Sequence, residues 1–310
     1  MNACFKIFPL LAILLLYAQL GYARQDLIDI HDDMECSSDS VVRKCQERAA
    51  ATSEVSRPVT QIYMLEIGGA SDLDTYLSPL RYNGYGTALA GQWSKALPWM
   101  NNRWIMRFGS RIGFSSALNP AAIARMLGLD LALTWGPAFT WKLPMRLNLT
   151  AGADIGLSAG VLYLPRNSNN PASAKVDAGI ALTASASWPF RIGKLNILLS
   201  DEIRLPSLSA FFSPEYGEPY YEIYLGNHSG LVHCGWWGNH FGIDNLLAFD
   251  LDIGPSALRI GYRYSLRSSW INHLDTQIQT HSFVIGWIPH GIGLRPTAPS
   301  RKSIIVSSLY

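Results

Sequence analysis

The sequence predicts an all-β protein: a transmembrane, antiparallel, up-and-down β-barrel of ten to twelve strands that follows a cleaved N-terminal signal peptide. Three observations predict it. Apolar and polar residues alternate with a period of two over segments longer than the strands of most globular sheets. Charged residues make up 15% of the 310-residue chain, against about 25% in soluble domains. Aromatic residues gather at the ends of the alternating segments, as the interfacial girdles of a membrane barrel require.

The N-terminus has the three parts of a secretory signal. One lysine precedes an apolar run from Ile7 to about Leu20, and small residues follow at Gly21 and Ala23. We expect cleavage before Arg24. A retained transmembrane helix is the alternative, but the run is short for spanning a bilayer.

Residues 24–58 are rich in charge and poor in large apolar side chains, so we expect a largely flexible periplasmic leader. Cys36 and Cys45 lie in this leader and could form a disulfide in an oxidising compartment, which would leave Cys234 unpaired. The barrel is then expected over 59–288, with a C-terminal tail at 289–310.

The alternation places ten strands with turn signals between them. Their connections alternate between long and short, which predicts that long loops lie at one end of the barrel. The segment 206–244 could hide one further hairpin through weakly alternating Tyr221, Ile223 and Leu225. The ten predicted strands are 60–69, 82–94, 103–114, 126–136, 146–163, 175–188, 194–205, 241–253, 257–267 and 277–288.

The apolar face of each strand is predicted to point outward to lipid. In the segment 126–136, Leu129, Leu131 and Leu133 share one face and Asp130 lies on the other. The polar faces are rich in Gly, Ser and Ala, which suits a crowded lumen. A chain in lipid must pair every backbone group, so it can span only as a closed cylinder. We expect an aromatic girdle of Trp93, Trp104, Trp135, Tyr163, Trp188 and Trp287.

Inward-facing charges of both signs predict a network in the lumen. If 117–125 is a loop between neighbouring strands, Arg111 lies beside Asp130. If the turn after Ile253 is tight, Arg259 lies between Asp250 and Asp252. Such a network either selects solutes or fills a narrow barrel, and ten to twelve strands favour filling. The expected members are Arg103, Arg107, Arg111, Asp130, Asp154, Asp177, Asp250, Asp252, Arg259 and Arg263.

Polar side chains with catalytic potential cluster between aromatic residues in the segment 206–244. A Ser and His pair could cleave lipid esters, and three histidines with Cys234 could bind a metal. Neither has a specific motif, so the sequence favours no enzyme, metal or cofactor. The weak catalytic candidates are His228, Ser229, His233, His240 and Asp244.

The stretches YLSPLRYNGYG, YYEIYLGNHSG and WWGNHFGIDNLL resemble an uncharacterised family of Bacteroidetes-type outer-membrane β-barrels. The segment HSFVIGW is similar to a terminal strand that outer-membrane assembly machinery recognises, although this chain continues to Tyr310. The resemblance implies fold and location and brings no known site residues.

These observations favour a protein of the bacterial outer membrane that contacts lipid and the assembly machinery. The net charge is +2 and the sequence has no cluster of basic residues, so nucleic acid is not an expected partner. The expected function is a narrow or plugged channel, or a structural barrel, whose extracellular loops bind a ligand or partner. A lipid-modifying hydrolase and a subunit of an outer-membrane complex are the alternatives.

Overall fold

The computed structural model describes residues 60–97, 103–168, 170–193, 195–226, 230–253 and 256–289. The predicted signal peptide, the leader with Cys36 and Cys45, and the C-terminal tail lie outside them, as do His228 and Ser229. None of the described helices is long and apolar enough to cross a membrane.

The described residues form eleven strands, one 3₁₀ turn at Pro144–Arg146 and one short helix, α1, at Tyr220–Tyr224. The strands are β1 (Thr60–Asp74), β2 (Ser78–Ala96), β3 (Trp104–Leu118), β4 (Arg125–Lys142), β5 (Asn148–Tyr163), β6 (Ala172–Ile192), β7 (Leu195–Phe212), β8 (Val232–Trp236), β9 (His240–Asp252), β10 (Ser256–Ile271) and β11 (Leu274–Pro289).

Ten of these strands close into an antiparallel ring. Consecutive strands from β1 to β7 pair in order, β9 pairs with β7 and β10, and β11 pairs with β1 to close the cylinder. The short β8 pairs with the last five residues of β7. These residues lie beyond the part of β7 that pairs with β9. The prediction of a closed barrel is confirmed, with ten strands in the ring.

Several loops were predicted too long. Ala70–Asp74 and Ser78–Arg81 belong to strands, so that β1 and β2 are joined by a short turn, and so are β10 and β11. A further hairpin through Tyr221, Ile223 and Leu225 is wrong, because Tyr221 and Ile223 lie in α1. Long connections therefore do not alternate regularly with short ones.

We call the end of the barrel with Thr60 and Pro289 the near end, and the opposite end the far end. The outside is apolar as predicted: Leu131 is 47% exposed, and Leu129 and Leu133 are exposed to the same degree. Asp130, between them in sequence, points into the lumen and contacts Arg111. The burial pattern is thus inverted relative to a soluble barrel.

Aromatic rings on the outside of the barrel pack against one another toward the near end. Tyr63 packs against both Trp93 and Trp287, and Trp188 contacts Phe190. Tyr163 is exposed at the far end of β5, whereas Trp104 and Trp135 lie on β3 and β4. Further exposed aromatic residues toward the far end are Tyr85, Trp236, Trp237, Phe241 and Trp270.

Two buried apolar clusters lie inside the barrel, one toward each end. The near-end cluster comes from β1, β2 and β9 to β11 and consists of Ile62, Met64, Ala90, Leu246, Ala248, Ala257, Val284 and Ile288. The far-end cluster consists of Leu77, Tyr82, Ala117, Ala124, Met126, Leu162 and Leu164. Charged side chains fill much of the lumen between these clusters.

Candidate functional site: the ion-paired lumen

Glu66 lies at the centre of the lumen network. It faces inward from β1, is 1% exposed, and accepts hydrogen bonds from two arginines. Arg111 on β3 donates from Nε to Oε2 at 3.0 Å, and Arg263 on β10 donates from Nη1 to Oε1 at 2.8 Å. A buried carboxylate with one guanidinium on each oxygen is fully compensated.

Each of these arginines also holds a second carboxylate. Arg111 Nη1 donates to Asp130 Oδ2 at 2.7 Å. Arg263 donates to Asp244 from Nε to Oδ1 at 3.0 Å and from Nη2 to Oδ2 at 2.9 Å. Asp130, Arg111, Glu66, Arg263 and Asp244 therefore alternate in sign as one continuous row, which we call the central row. It joins five strands within a run of seven neighbouring strands of the ring.

A second group of ion pairs lies nearer to the near end. Arg107 on β3 pairs with Glu202 on β7, which lies well across the ring from it. Next to Glu202, Arg204 holds Asp154 of β5 through Nε at 3.0 Å and Nη2 at 2.8 Å. Burial lets these charges meet across the lumen, where bulk water would otherwise screen them.

Glycine makes room for this second group. A Cβ on Gly156 would come within 2.3 Å of Arg204 Nη2. The absence of a side chain at that position is what allows the guanidinium to cross β6 and reach β5. Inward-facing glycines on these strands thus fit a lumen crowded by long charged side chains.

The far-end part of the lumen is crossed by Lys175. Its Nζ lies 2.8 Å from Asp74 Oδ2 and donates to Thr276 Oγ1 at 3.1 Å. Because Lys175 belongs to β6 and Asp74 to β1, this pair joins opposite walls. Beside it, Arg267 lies 3.9 Å from Asp130 and 4.0 Å from Asp177, which accepts a hydrogen bond from Ser158.

Arg259 and Asp250 form a different kind of pair. They are register partners on the adjacent strands β10 and β9, and both are buried. Arg259 donates from Nε to Oδ1 at 2.6 Å and from Nη2 to Oδ2 at 2.7 Å. This pair lines one wall, and Arg259 also donates from Nη1 to Gln92 Oε1 on β2 at 3.5 Å.

Two of the expected charges, Arg103 and Asp252, lie at the near end of the barrel. Arg103 lies just before β3 and is exposed, and Asp252, at the end of β9, accepts a hydrogen bond from Asn196 at 3.3 Å. Sequence reasoning missed Glu66, Asp74, Glu202 and Arg204. Glu66 carried a usable signal, because it alternates with outward Leu65 and Ile67.

A loop that contains α1 folds toward the far-end mouth, and we call residues 213–226 the cap. Tyr76, in the turn after β1, donates its hydroxyl hydrogen to the carbonyl oxygen of Glu218 at 2.7 Å. The Tyr220 hydroxyl oxygen accepts from the backbone N–H of Ala174 on β6 at 2.7 Å. Burial is the main cause that raises the pKa of Tyr76 and of Tyr220, so both phenols stay protonated.

The described catalytic candidates do not form a catalytic group. His233 Nε2 contacts the Ser213 carbonyl oxygen at 3.1 Å and Asn272 Nδ2 at 3.2 Å. His240 packs its ring against Phe211, with centroids 4.5 Å apart, and Asp244 is held by Arg263. His228 and Ser229 lie outside the described residues, so the expected Ser and His pair has no structural account.

Cys234 is disulfide-bonded. The expectation that it remains unpaired is wrong. A sulfur in a disulfide is not a thiolate, so Cys234 is no metal ligand in this state. Among the described residues, no group of three or more His, Cys, Asp or Glu side chains is placed to hold a metal ion.

A closed antiparallel cylinder with an apolar outside and an ion-paired inside is a transmembrane β-barrel of the outer-membrane type. The chain belongs to the family described as protein of unknown function (DUF3316), whose model matches residues 11–297. A comparison with curated proteins gives no match.

Solved structures similar to this chain include domains of three autotransporters. The beta domain of the Bordetella autotransporter Brka is 10% identical, covering 75% of this chain and 99% of its own, with a TM-score of 0.41. The transport unit of AIDA-I from Escherichia coli is 8% identical, covering 76% and 92%, with a TM-score of 0.40. The translocator domain of NalP from Neisseria meningitidis is 11% identical, covering 86% and 98%, with a TM-score of 0.38.

Proposed function

We propose that this protein is a non-conducting barrel of the bacterial outer membrane that binds a ligand or partner at its outer surface. In this arrangement the near end faces the periplasm and the far end, with the cap, faces the cell exterior. The single observation that carries the proposal is that ion pairs join opposite walls of the lumen. Lys175 with Asp74, Arg107 with Glu202 and Arg267 with Asp130 are pairs that do so.

Closure of the lumen is supported at three levels along the barrel. The near-end apolar cluster excludes water next to the periplasmic opening. The central row and its neighbouring pairs hold charged groups in fixed contacts above it. The far-end cluster and the cap lie above them. A ten-stranded barrel is close to the width that side chains alone can fill.

A binding role for the outer end is supported by the side chains that the cap leaves uncovered. Tyr216, Tyr221 and Tyr224 are each more than two-thirds exposed, whereas Tyr220 turns inward. Tyrosine supplies rigid, amphipathic contact area and is enriched in protein interfaces. Function then lies in the cap and its adjoining turns, with the plugged barrel as a rigid support.

Conductance in planar bilayers tests the closed lumen. We expect the wild-type protein to insert without measurable current. Arg107→Ala combined with Arg111→Ala removes one cross-lumen pair and two links of the central row, and we expect it to give discrete current steps. Leu131→Ala, on the lipid-facing side, is the matched control and should stay silent. A steady current through the wild-type barrel contradicts the proposal.

A further inference from the structure

The outer surface of three neighbouring strands carries a gap between two large side chains. His281 on β11, Gly69 on β1 and Tyr85 on β2 are register partners in one row. His281 is exposed, and Tyr85 is 82% exposed, the highest value for an aromatic residue in the described strands. Gly69 has no side chain to fill the space between them. The result is a groove with Gly69 as its floor.

The two rims of this groove have complementary hydrogen-bonding groups. On one rim, the Tyr85 hydroxyl has no hydrogen-bond partner among the described residues. On the other, Gln279 Nε2 contacts His281 Nε2 at 2.8 Å, and His281 Nδ1 contacts the Tyr262 hydroxyl at 2.6 Å. Gln279 therefore donates from its amide nitrogen, and its Oε1 has no partner in the described chain. One rim presents a free donor and the other a free acceptor.

Strand tilt brings these two groups to the same height. The register row that starts at Ile197 on β7 passes through every strand of the ring and returns to β7 at Ala210. Each row of register partners therefore rises toward the far end as it passes from β9 through β10 and β11 to β1 and β2. The rise is about 3 Å per strand for a tilt of about 40°. Tyr85 lies two strands, or about 6 Å, above His281, and Gln279 lies about 5 Å above His281 along β11.

From these positions we propose that two copies of this chain dimerise in the membrane through β11, β1 and β2, about a two-fold axis that passes beside Gly69. Such an axis places β2 of one copy against β11 of the other. Each Tyr85 ring enters the other copy's groove and donates its hydroxyl hydrogen to Gln279 Oε1. The symmetric dimer therefore contains this hydrogen bond twice. Lipid chains cannot form such a bond with either group.

The opposite wall lacks these features. The outward residues of β5 are alanine, leucine, isoleucine, valine and one terminal tyrosine. Apart from Tyr163, none of these side chains has a hydrogen-bonding group, so hydrocarbon solvates them fully. A polar, hydrogen-bonded group on the lipid-facing side is costly unless it has a role. The asymmetry between the walls favours β11, β1 and β2 as the contact surface.

Energy transfer between labelled copies of the full chain in lipid vesicles tests the proposal, with lipid dilution giving the dissociation constant. Gly69→Trp fills the groove, and the monomer tolerates it because a Cβ there would meet only the Gly84 carbonyl oxygen, at 3.9 Å. We expect Gly69→Trp to abolish energy transfer. Ala159→Trp, exposed on β5, is the matched control and should leave transfer unchanged. Circular dichroism melting checks that both variants fold.

The hydrogen bond is tested by a double-mutant cycle. Tyr85→Phe and Gln279→Leu should each weaken the dimer by about ninefold, because each change removes both symmetry-related bonds and one such bond inside a membrane is worth about threefold on average. Together they should weaken it less than the product of the two, because they remove the same bond. A wild-type chain that stays monomeric at high protein density overturns the proposal, as does a Gly69→Trp variant that associates like the wild type. The conductance result does not bear on either outcome.

Discussion

The central row and the Arg259–Asp250 pair show two ways in which a barrel can bury opposite charges. Arg259 and Asp250 are neighbours on adjacent strands and neutralise each other along one wall. Glu66 instead binds arginines of two strands, each separated from β1 by an intervening strand. The wall pair satisfies itself locally. The central row ties several strands together and takes up the space between them.

This difference indicates which charges control stability and closure. In a shared row, removal of the shared acid takes one acidic partner from each of two cations. In a local pair, removal of both partners leaves nothing unpaired. Substitutions in the central row should therefore have larger effects than equal changes in the wall pair.

The largest effect is expected for Glu66→Leu. It leaves Arg111 and Arg263 each with a single acidic partner in a buried site, and we expect a loss of about 3 to 5 kcal/mol in the free energy of unfolding. Urea titration of the barrel refolded in lipid vesicles measures it. Glu66→Gln keeps the shape and one acceptor oxygen, and should lose less. Equal stability of Glu66→Leu and wild type would contradict the shared-row interpretation.

How far the sequence predicts this network depends on the distance between strands around the ring. Arg111 with Asp130 and Arg259 with Asp250 follow from short connections, because a turn fixes the register of adjacent strands. Such arithmetic reaches only the next strand. It placed Arg259 between Asp250 and Asp252, and the register gives Asp250 as the partner.

Contacts across the lumen could not be predicted in this way. Arg107 meets Glu202, and Lys175 meets Asp74, only because the number of strands and the shear of the closed ring set which heights face each other. Neither quantity is encoded in any single segment. The strands and their lipid-facing sides were predictable, since alternation is local, but the helical α1 was not, because YYEIY also alternates weakly.

A smaller effect is expected for Lys175→Met at the far end. The change removes the cation from Asp74, which is fully buried but also accepts from the backbone N–H of Tyr76 at 3.2 Å. Because that contact remains, we expect a loss of about 2 to 3 kcal/mol, below that of Glu66→Leu. The same urea titration compares the two. Lys142→Met, exposed at the end of β4, is the control and should change little.

The cap should be more weakly held than either charged site. Tyr76→Phe removes the hydrogen bond to the Glu218 carbonyl oxygen, for an expected loss of about 1 kcal/mol confined to the cap. Faster hydrogen exchange at residues 213–226, with no change in the barrel strands, is the expected readout. Tyr224→Phe, whose ring is exposed, serves as the control. Uniformly faster exchange in the strands would show that the cap is not a separate unit.

The smallest change in stability is expected where both members of the wall pair are replaced. Arg259→Met with Asp250→Leu removes a buried cation and a buried anion together, and residues of similar size remain beside the near-end apolar cluster. Such replacements of buried ion pairs are often neutral or stabilising, so we expect a shift within about 1 kcal/mol and no current. Arg259→Met alone should cost several times more, because Asp250 stays buried without its cation. If the double variant lost as much free energy of unfolding as Glu66→Leu, the wall pair would stabilise the barrel as much as the central row does. The distinction between local and shared pairing would then fail.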